Sequence, residues 1–393
     1  MKCMSTLAVL AMVLGAGVVM AADWPCWNGP DQNNISKETF LTTWPAEGPK
    51  PLWKAEVGIG FSSFAVAGGK AYTLGNLEKK KDVLYCFDAE TGKEAWTYGY
   101  DEPLTAKYYE GGPSATPTVH EGKVYWISKS GKIFCLKADT GAVVWQSKAP
   151  CDPPTWGFAG SALIHGSMAI FNVGGWGLAL NKDDGKPVWE SDKSASGYAT
   201  AVPFVKDGKP LLAIFGTKAC FGVEAATGKK VWSFEWVTNY DVNASDPIVV
   251  GDQVFVSSGY DRGCGLFRIE GDKGVNIWEN KAMRSQISGP IMIGDFVYGI
   301  DENQLRCVEF KTGKETWTDK SIGKGSLTAS DGKLIVLSEK GKLLVAPVDP
   351  QAFKPIVEAQ ILSGKCWTRP VLANGRLFLR NTAGSVICLD VKK

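Results

Sequence analysis

The feature that most constrains this chain is a short motif recurring at nearly constant spacing. It reads Asp88-Ala-Glu-Thr-Gly-Lys-Glu-Ala-Trp96, Ala138-Asp-Thr-Gly-Ala-Val-Val-Trp145, Lys182-Asp-Asp-Gly-Lys-Pro-Val-Trp189 and Ala225-Ala-Thr-Gly-Lys-Lys-Val-Trp232. Two further copies are Glu270-Gly-Asp-Lys-Gly-Val-Asn-Ile-Trp278 and Phe310-Lys-Thr-Gly-Lys-Glu-Thr-Trp317. Successive tryptophans stand 49, 44, 43, 46 and 39 residues apart, the length of one four-stranded propeller blade. Asp or Thr before Gly suits a tight hairpin, because Gly takes the positive φ that the turn requires. The Trp four positions after the Gly then falls on the outermost strand, where its ring can wedge against the next blade.

A second signature marks the first hairpin of each blade: an apolar strand, a Gly-containing turn and another apolar strand. It reads Phe64-Ala-Val-Ala-Gly-Gly-Lys-Ala-Tyr72 and Pro117-Thr-Val-His-Glu-Gly-Lys-Val-Tyr125, with further copies from near Ser161, Pro203, Pro247, Pro290, Thr328 and Pro370. The Trp motif is degraded once, near Asp349-Pro350, where Pro355 and Ile356 replace the Gly-Trp pattern. It is also split once. The chain stops at Ile387-Cys-Leu-Asp-Val-Lys-Lys393, where a turn and Trp strand are due, while Pro51-Leu-Trp53-Lys-Ala-Glu-Val57 is a Trp strand without a blade. Joining the two closes a ring and removes its open edges. The expected fold is all-β, an eight-bladed β-propeller over residues 51–393. Trp53, Trp96, Trp145, Trp189, Trp232, Trp278 and Trp317 are its structural tryptophans.

The start of the chain reads as a leader. Lys2 precedes an apolar run from Leu7 to Met20, and Val19-Met20-Ala21 offers small residues at the positions that signal peptidase prefers. The run is short of the roughly 20 residues that cross a bilayer comfortably. The expected organisation is a signal peptide at 1–21, an extension at 22–50 and the propeller. The mature protein is then exported, periplasmic or secreted, without a transmembrane segment. Without Lys2 the chain holds 42 basic and 41 acidic residues, a balance that offers no electrostatic case for nucleic acid. Nine cysteines remain without Cys3. Cys86, Cys135, Cys307 and Cys388 share one repeat position and read as small core hydrophobes. Cys26, Cys151, Cys220, Cys264 and Cys366 are left as disulfide candidates, which export permits.

The repeat Ala-x-Thr-Gly-x-x-x-Trp resembles the tryptophan-docking repeat of pyrroloquinoline-quinone (PQQ) dependent alcohol dehydrogenases. It resembles equally that of the assembly factor of the outer-membrane β-barrel insertion machinery, a propeller without a cofactor. Asp23-Trp-Pro-Cys-Trp-Asn-Gly-Pro30 with Ile35-Ser36 is similar to the lead segment of exported PQQ-like repeat proteins, with Cys26, Trp27 and Asn28 where Gln-Trp-Arg is common. WD40 propellers are excluded by the lack of Gly-His…Trp-Asp pairs.

The dehydrogenase resemblance implies an Asp base beside calcium, an aromatic floor under the quinone, an Arg or Lys on its oxygens and adjacent cysteines. No adjacent cysteine pair and no Cys-x-x-Cys-His occurs. His120 and His165, the only histidines, sit in hairpin turns and cannot make a zinc site of several imidazoles or a triad with spares. Asn181-Lys-Asp183-Asp184-Gly185 has the wrong spacing for a calcium loop. In a propeller the segments leading into each first strand, with the turns between second and third strands, share one face. They supply Tyr109 and Glu110, Trp156 and Phe158, Tyr198, Asn243 and Asp246, Gln286, Trp367 and Arg369, together with Trp176 and Tyr260-Asp261-Arg262. The expected function is a non-catalytic, cofactor-free monomeric scaffold that binds a protein or polysaccharide of the cell envelope through this face. Its channel-facing residues are Tyr109, Glu110, Tyr198, Gln286 and Trp367. The alternative is a dehydrogenase of alcohols or sugars using PQQ with calcium. Asp246 would be its base, with Arg369, Arg262, Trp156, Trp176 and Asn243 around the cofactor. A carbohydrate module using Trp156, Trp176 and Trp367 is a third reading.

Overall fold

The computed structural model describes residues 22–393, so the leader expected at 1–21 lies outside the described residues. Strands fall into four-stranded antiparallel units spanning residues 65–101, 118–148, 163–190, 202–235, 248–280, 291–319 and 326–360, numbered here as blades one to seven. In an eighth, Val371–Ala373, Arg376–Arg380 and Ser385–Asp390 are completed by Pro51–Glu56 from the other end of the chain. Pro51 lies opposite Leu389 and Trp53 opposite Cys388, so the first propeller strand seals the last blade. The architecture is a β-propeller. One short 3-10 turn at Asn239–Asp241 is the single helical element among the described residues.

The motif tryptophans dock blade on blade. Trp53 donates its indole N–H to Ala89 O (3.1 Å), Trp96 to Ala138 O (3.2 Å), Trp145 to Lys182 O (3.0 Å) and Trp189 to Ala225 O (2.9 Å). Trp278 reaches Phe310 O (3.1 Å) and Trp317 reaches Asp349 O (2.9 Å). Each acceptor lies at the turn of the following blade. The ring itself lies over that turn's glycine: a Cβ on Gly141, Gly185, Gly228 or Gly313 would stand 2.6–2.7 Å from Trp96, Trp145, Trp189 or Trp278. The motif glycine therefore serves twice, supplying a positive φ (+71° at Gly141) and a bare surface for the neighbour's indole.

The recurring cysteines have a matching role. Trp96 pairs across the ladder with Cys86, Trp145 with Cys135, Trp317 with Cys307 and Trp53 with Cys388. A bulge lies beside each of these Trp residues, and the Cys opposite packs as a small apolar side chain. All nine described cysteines are free thiols, so none of the five disulfide candidates pairs. They are spread around the ring in separate parts of the core, such as Cys26 against Gly29 O and Cys366 among the apolar side chains of blades seven and eight.

Of the seven motif tryptophans, one fails to make the contact. In blade five the hairpin turns at Gly271-Asp272, and Gly274, expected in the turn, lies on strand Lys273–Asn280. Trp232 then has no carbonyl to meet, and its buried indole N–H is unpaired. Phe234 takes over, stacking on Phe267 at 4.0 Å while Ser233 N–H bonds Asp272 O (3.1 Å). The outer strands of blades four and five consequently pair in parallel and merge the two sheets. In blade seven, with its degraded motif, Phe353 covers Trp317 at 5.7 Å in place of a glycine turn.

These contacts separate two glycines of the same backbone conformation. Gly122 has nothing within 4 Å of an added Cβ, whereas Gly141 faces Trp96. Gly122→Ala should cost about 1 kcal/mol for the left-handed backbone. Gly141→Ala should cost about 1–3 kcal/mol more, because the indole is displaced. Thermal unfolding of the two variants beside wild type measures the difference.

Candidate functional site

The segments that lead into the first strands stitch neighbouring blades around the axis. Ser63 N–H bonds Thr116 Oγ1 (2.9 Å), Thr116 N–H bonds Ser161 Oγ (3.0 Å), Ser161 N–H bonds Thr200 Oγ1 (3.0 Å) and Thr200 N–H bonds Asp246 Oδ1 (2.6 Å). Asp246 is the acidic end of a run of buried oxygen acceptors that advances one blade per step. Before Ser63 stands Arg369, whose carbonyl accepts from Ser63 Oγ (2.9 Å).

The N-terminal extension closes the channel that this girdle surrounds. Trp24 exchanges backbone bonds with Val66 of blade one, and Ile35–Ser36 adds in parallel to Ser326–Ser330 of blade seven. Between those anchors, Trp27 and Asn28 meet the axial residues. The Trp27 indole N–H and the Asn28 amide both donate to Asp246 Oδ2 at 2.8 Å. Asn28 Oδ1 accepts from Arg369 (3.3 Å), and the Arg369 guanidinium stands 4.7 Å from the Trp27 ring. Arg369 also donates to Gly289 O at 2.7 Å. One amide thus bridges a half-buried carboxylate and a buried cation. Burial pushes the Asp246 carboxyl above its usual range and lowers Arg369 to about 10.

This arrangement corrects the expectation of a base at Asp246 with Arg369 on a quinone. Both Asp246 oxygens already accept hydrogen bonds, and the extension lies where Arg369 points. Arg262 stacks 3.5 Å over Trp236 and pairs with Glu279 at 3.0 Å, away from the channel wall. Trp176 gives its N–H to Gly228 O at the seam of blades three and four, under Lys230. Asn243 is buried and holds its loop through Gly216 O, Thr217 O and Ser258 Oγ. Phe158 is a core residue. Among the described residues no group of three or more His, Cys, Asp or Glu is placed to hold a metal ion. The side chains present do not fit PQQ with calcium.

Above the Trp27 floor opens a funnel enclosing about 410 Å³. Every segment leading into a blade contributes: Phe61, Tyr109, Trp156, Tyr198, Ala244, Gln286, Lys324 and Trp367 follow one another around it, joined by Tyr108 and Tyr260. The funnel thus brings together Tyr109, Tyr198, Gln286 and Trp367 with Trp156, while Glu110, expected to face the channel with the first four, lies outside its lining. Trp367, Phe61, Tyr109 and Trp156 form a continuous arc with ring centres 5.4–5.9 Å apart. Three cations border it. Lys129 donates to the Tyr109 hydroxyl, Lys365 pairs with Glu110 (2.6 Å) beside Trp367, and Lys324 bonds Gln286 (2.6 Å). The Trp156 indole N–H is buried without an acceptor.

Tyr108, Tyr240 and Tyr260 near the mouth all hold positive φ (69°, 68° and 56°), which a bulky residue rarely adopts. Tyr108 is 89% exposed, so no core packing explains its conformation. Such strain is a hallmark of functional loops.

Trp27, Asn28, Phe61, Tyr108, Lys129 and Lys324 escaped the sequence reading. The unusual Cys26-Trp27-Asn28 was the one signal available, and its destination in the channel was not visible in it.

Behind Tyr109, Lys129 stands close to two buried carboxylates. Asp82 accepts from Asn76 (2.7 Å), and Glu102 accepts from Ser130 Oγ (2.8 Å). Burial, reinforced by the Glu102 charge, pushes Asp82 up to about 7, and burial lowers Lys129 to about 8. Folded Asp82 keeps its proton where the unfolded chain has lost it, so stability falls as pH rises from about 4 to 7. Asp82→Asn removes that loss. Its stability relative to wild type should climb across this window by on the order of 3 kcal/mol, measured by urea unfolding at each pH.

A closed ring of tryptophan-docked blades around a plugged, aromatic-lined channel defines a PQQ-like repeat propeller. The family model described as outer membrane protein assembly factor BamB matches residues 80–319, and the chain belongs to that family. Proteins named outer membrane protein assembly factor BamB are similar: that of Burkholderia pseudomallei is 24% identical over 62% of this chain and 61% of its own length. That of Yersinia pestis is 21% identical over 81% and 82%. Quinoprotein ethanol dehydrogenase of Pseudomonas aeruginosa is 29% identical over 40% of this chain and 28% of its own length. In fold, the crystal structure of BamB from Moraxella catarrhalis aligns with a TM-score of 0.65 at 16% identity, over 87% of this chain and all of that one.

Proposed function

We propose that this chain is an exported, non-catalytic scaffold of the cell envelope that takes part in outer membrane protein assembly by holding a protein segment in its funnel. The observation that carries this reading is the funnel's construction. Aromatic side chains from five of its eight segments converge on a floor closed by Trp27, and the one acid–cation pair at that floor is committed to the plug. A concave, mostly aromatic site with a few polar groups binds side chains and holds them in place. It offers no free base for chemistry. The relatives named as assembly factors support the envelope setting, as do the leader features of residues 1–21. No helix among the described residues is long and apolar enough to cross a membrane. Binding needs no cofactor and is expected of the monomer.

The test is a calorimetric titration of the mature protein with three ligands: peptides copying aromatic-rich strands of an outer-membrane β-barrel, envelope oligosaccharides, and PQQ with calcium. The peptides should bind saturably, and Trp156→Ala or Trp367→Ala should each weaken binding about tenfold. Unchanged binding by both variants would remove the funnel as the site. Binding of oligosaccharide alone would replace the protein partner with a glycan, and saturable binding of PQQ alone would restore the quinoprotein reading.

A further inference from the structure

The carboxylate of Glu38 is buried in the N-terminal extension, with 2% of the residue exposed. Its Oε1 accepts the backbone N–H groups of Asn374 (2.5 Å) and Ala22 (2.7 Å), and its Oε2 accepts that of Gly375 (2.7 Å). No Lys, Arg or His of the described chain comes within 4.0 Å of those oxygens. Arg376, bordering the same cavity, turns to Glu90 (3.5 Å) and Asn374 O (2.9 Å). A buried anion served only by amide donors lacks a countercharge. The segment beside it is tightly held. Asp23 accepts from Gly68 N–H and the Asn374 amide, both at 3.1 Å, and Trp24 is locked onto Val66. Ala22 is therefore positioned on both sides of the ring seam, by blades one and eight.

The sequence places a cleavage signal at the same point. Val19-Met20-Ala21 has small residues three and one positions before the Ala21–Ala22 bond. We propose that hydrolysis of this bond creates an α-ammonium on Ala22 that docks on Glu38, so that leader removal locks the extension onto the ring. Water adds across the amide: the hydroxyl leaves on the Ala21 carboxylate, and the new amine of Ala22 takes a proton. The amide N–H at 2.7 Å from Oε1 becomes a charged donor at the same place, and the buried carboxylate gains its cation. Charge-assisted bonds of this kind are about twice as strong as neutral ones. Glu38 is then a positioning residue for the plug, since Trp27 and Asn28 hang on the segment that it anchors.

The experiment uses the full precursor, expressed in a Gram-negative host and purified from the periplasm. Intact mass should correspond to residues 22–393. A second precursor carrying Gly-Ser between Ala21 and Ala22 moves the ammonium two residues out of the cage. That form should melt about 2–4 °C lower, and its α-amine should react with an amine-directed label at pH 7 at least about tenfold faster, as expected when a charged hydrogen bond worth about 1.5–3 kcal/mol is lost. Glu38→Gln should abolish the difference in melting temperature between the two starts. A mature chain beginning elsewhere overturns the processing site. Equal melting and equal labelling of the native and extended starts overturns the docking, and the labelling comparison stands even if Glu38→Gln does not fold. Neither result touches the funnel, so the scaffold reading stands or falls separately.

Discussion

The rest of the molecule depends on one contact, an indole that reaches from the outer strand of one blade onto the turn of the next. A four-stranded antiparallel sheet has two faces and cannot bury both alone, so each blade needs a neighbour on either side. The tryptophan joins them in three ways: its ring covers apolar surface, its N–H binds a carbonyl, and it lies against a glycine that offers no Cβ. Each such hydrogen bond contributes about 1 kcal/mol net; it is made at six seams, and at five of them a glycine lies under the ring. The seam of blades four and five shows what replaces it. With Gly274 drawn into a strand, phenylalanine stacking and a parallel backbone bridge take over.

A ring leaves a hole along its axis, and the polar girdle around that hole cannot be filled by propeller residues alone. The extension fills it. Asn28 suits the task because its amide both donates and accepts, so it can face a carboxylate on one side and a guanidinium on the other. Withdrawal of the plug would take two hydrogen bonds from Asp246 and one from Arg369. This commits the residues that most resembled a catalytic pair to architecture. The fold is shared with quinoproteins, but the site decides the chemistry. Here the polar floor is spent on the plug and the aromatic walls remain available.

Much of the funnel was legible. Tyr109, Trp156, Tyr198, Gln286 and Trp367 belong to segments whose place on one face follows from counting strands, so their convergence needs only the repeat. Arg262, Trp176 and Asn243 belong to neighbouring segments but turn away, onto Trp236, Gly228 O and Ser258. Spacing says which segment borders the channel and says nothing about which way a side chain on an irregular loop turns. Lys129 and Lys324 were missed for the same reason.

The sequence by itself determined the blades, their order and the closure of the ring. Those features are written in local patterns: Thr-Gly turns, alternating strands, and a Trp strand missing at one end and present at the other. Only the tertiary structure decided what occupies the axis. Trp27 and Asn28 lie more than two hundred residues from Asp246, and no periodicity links them. Their meeting follows from where the folded ring places its girdle and from an acid and a cation that the Asn28 amide bridges. Such a bridge exists only once distant segments have been brought within hydrogen-bonding reach.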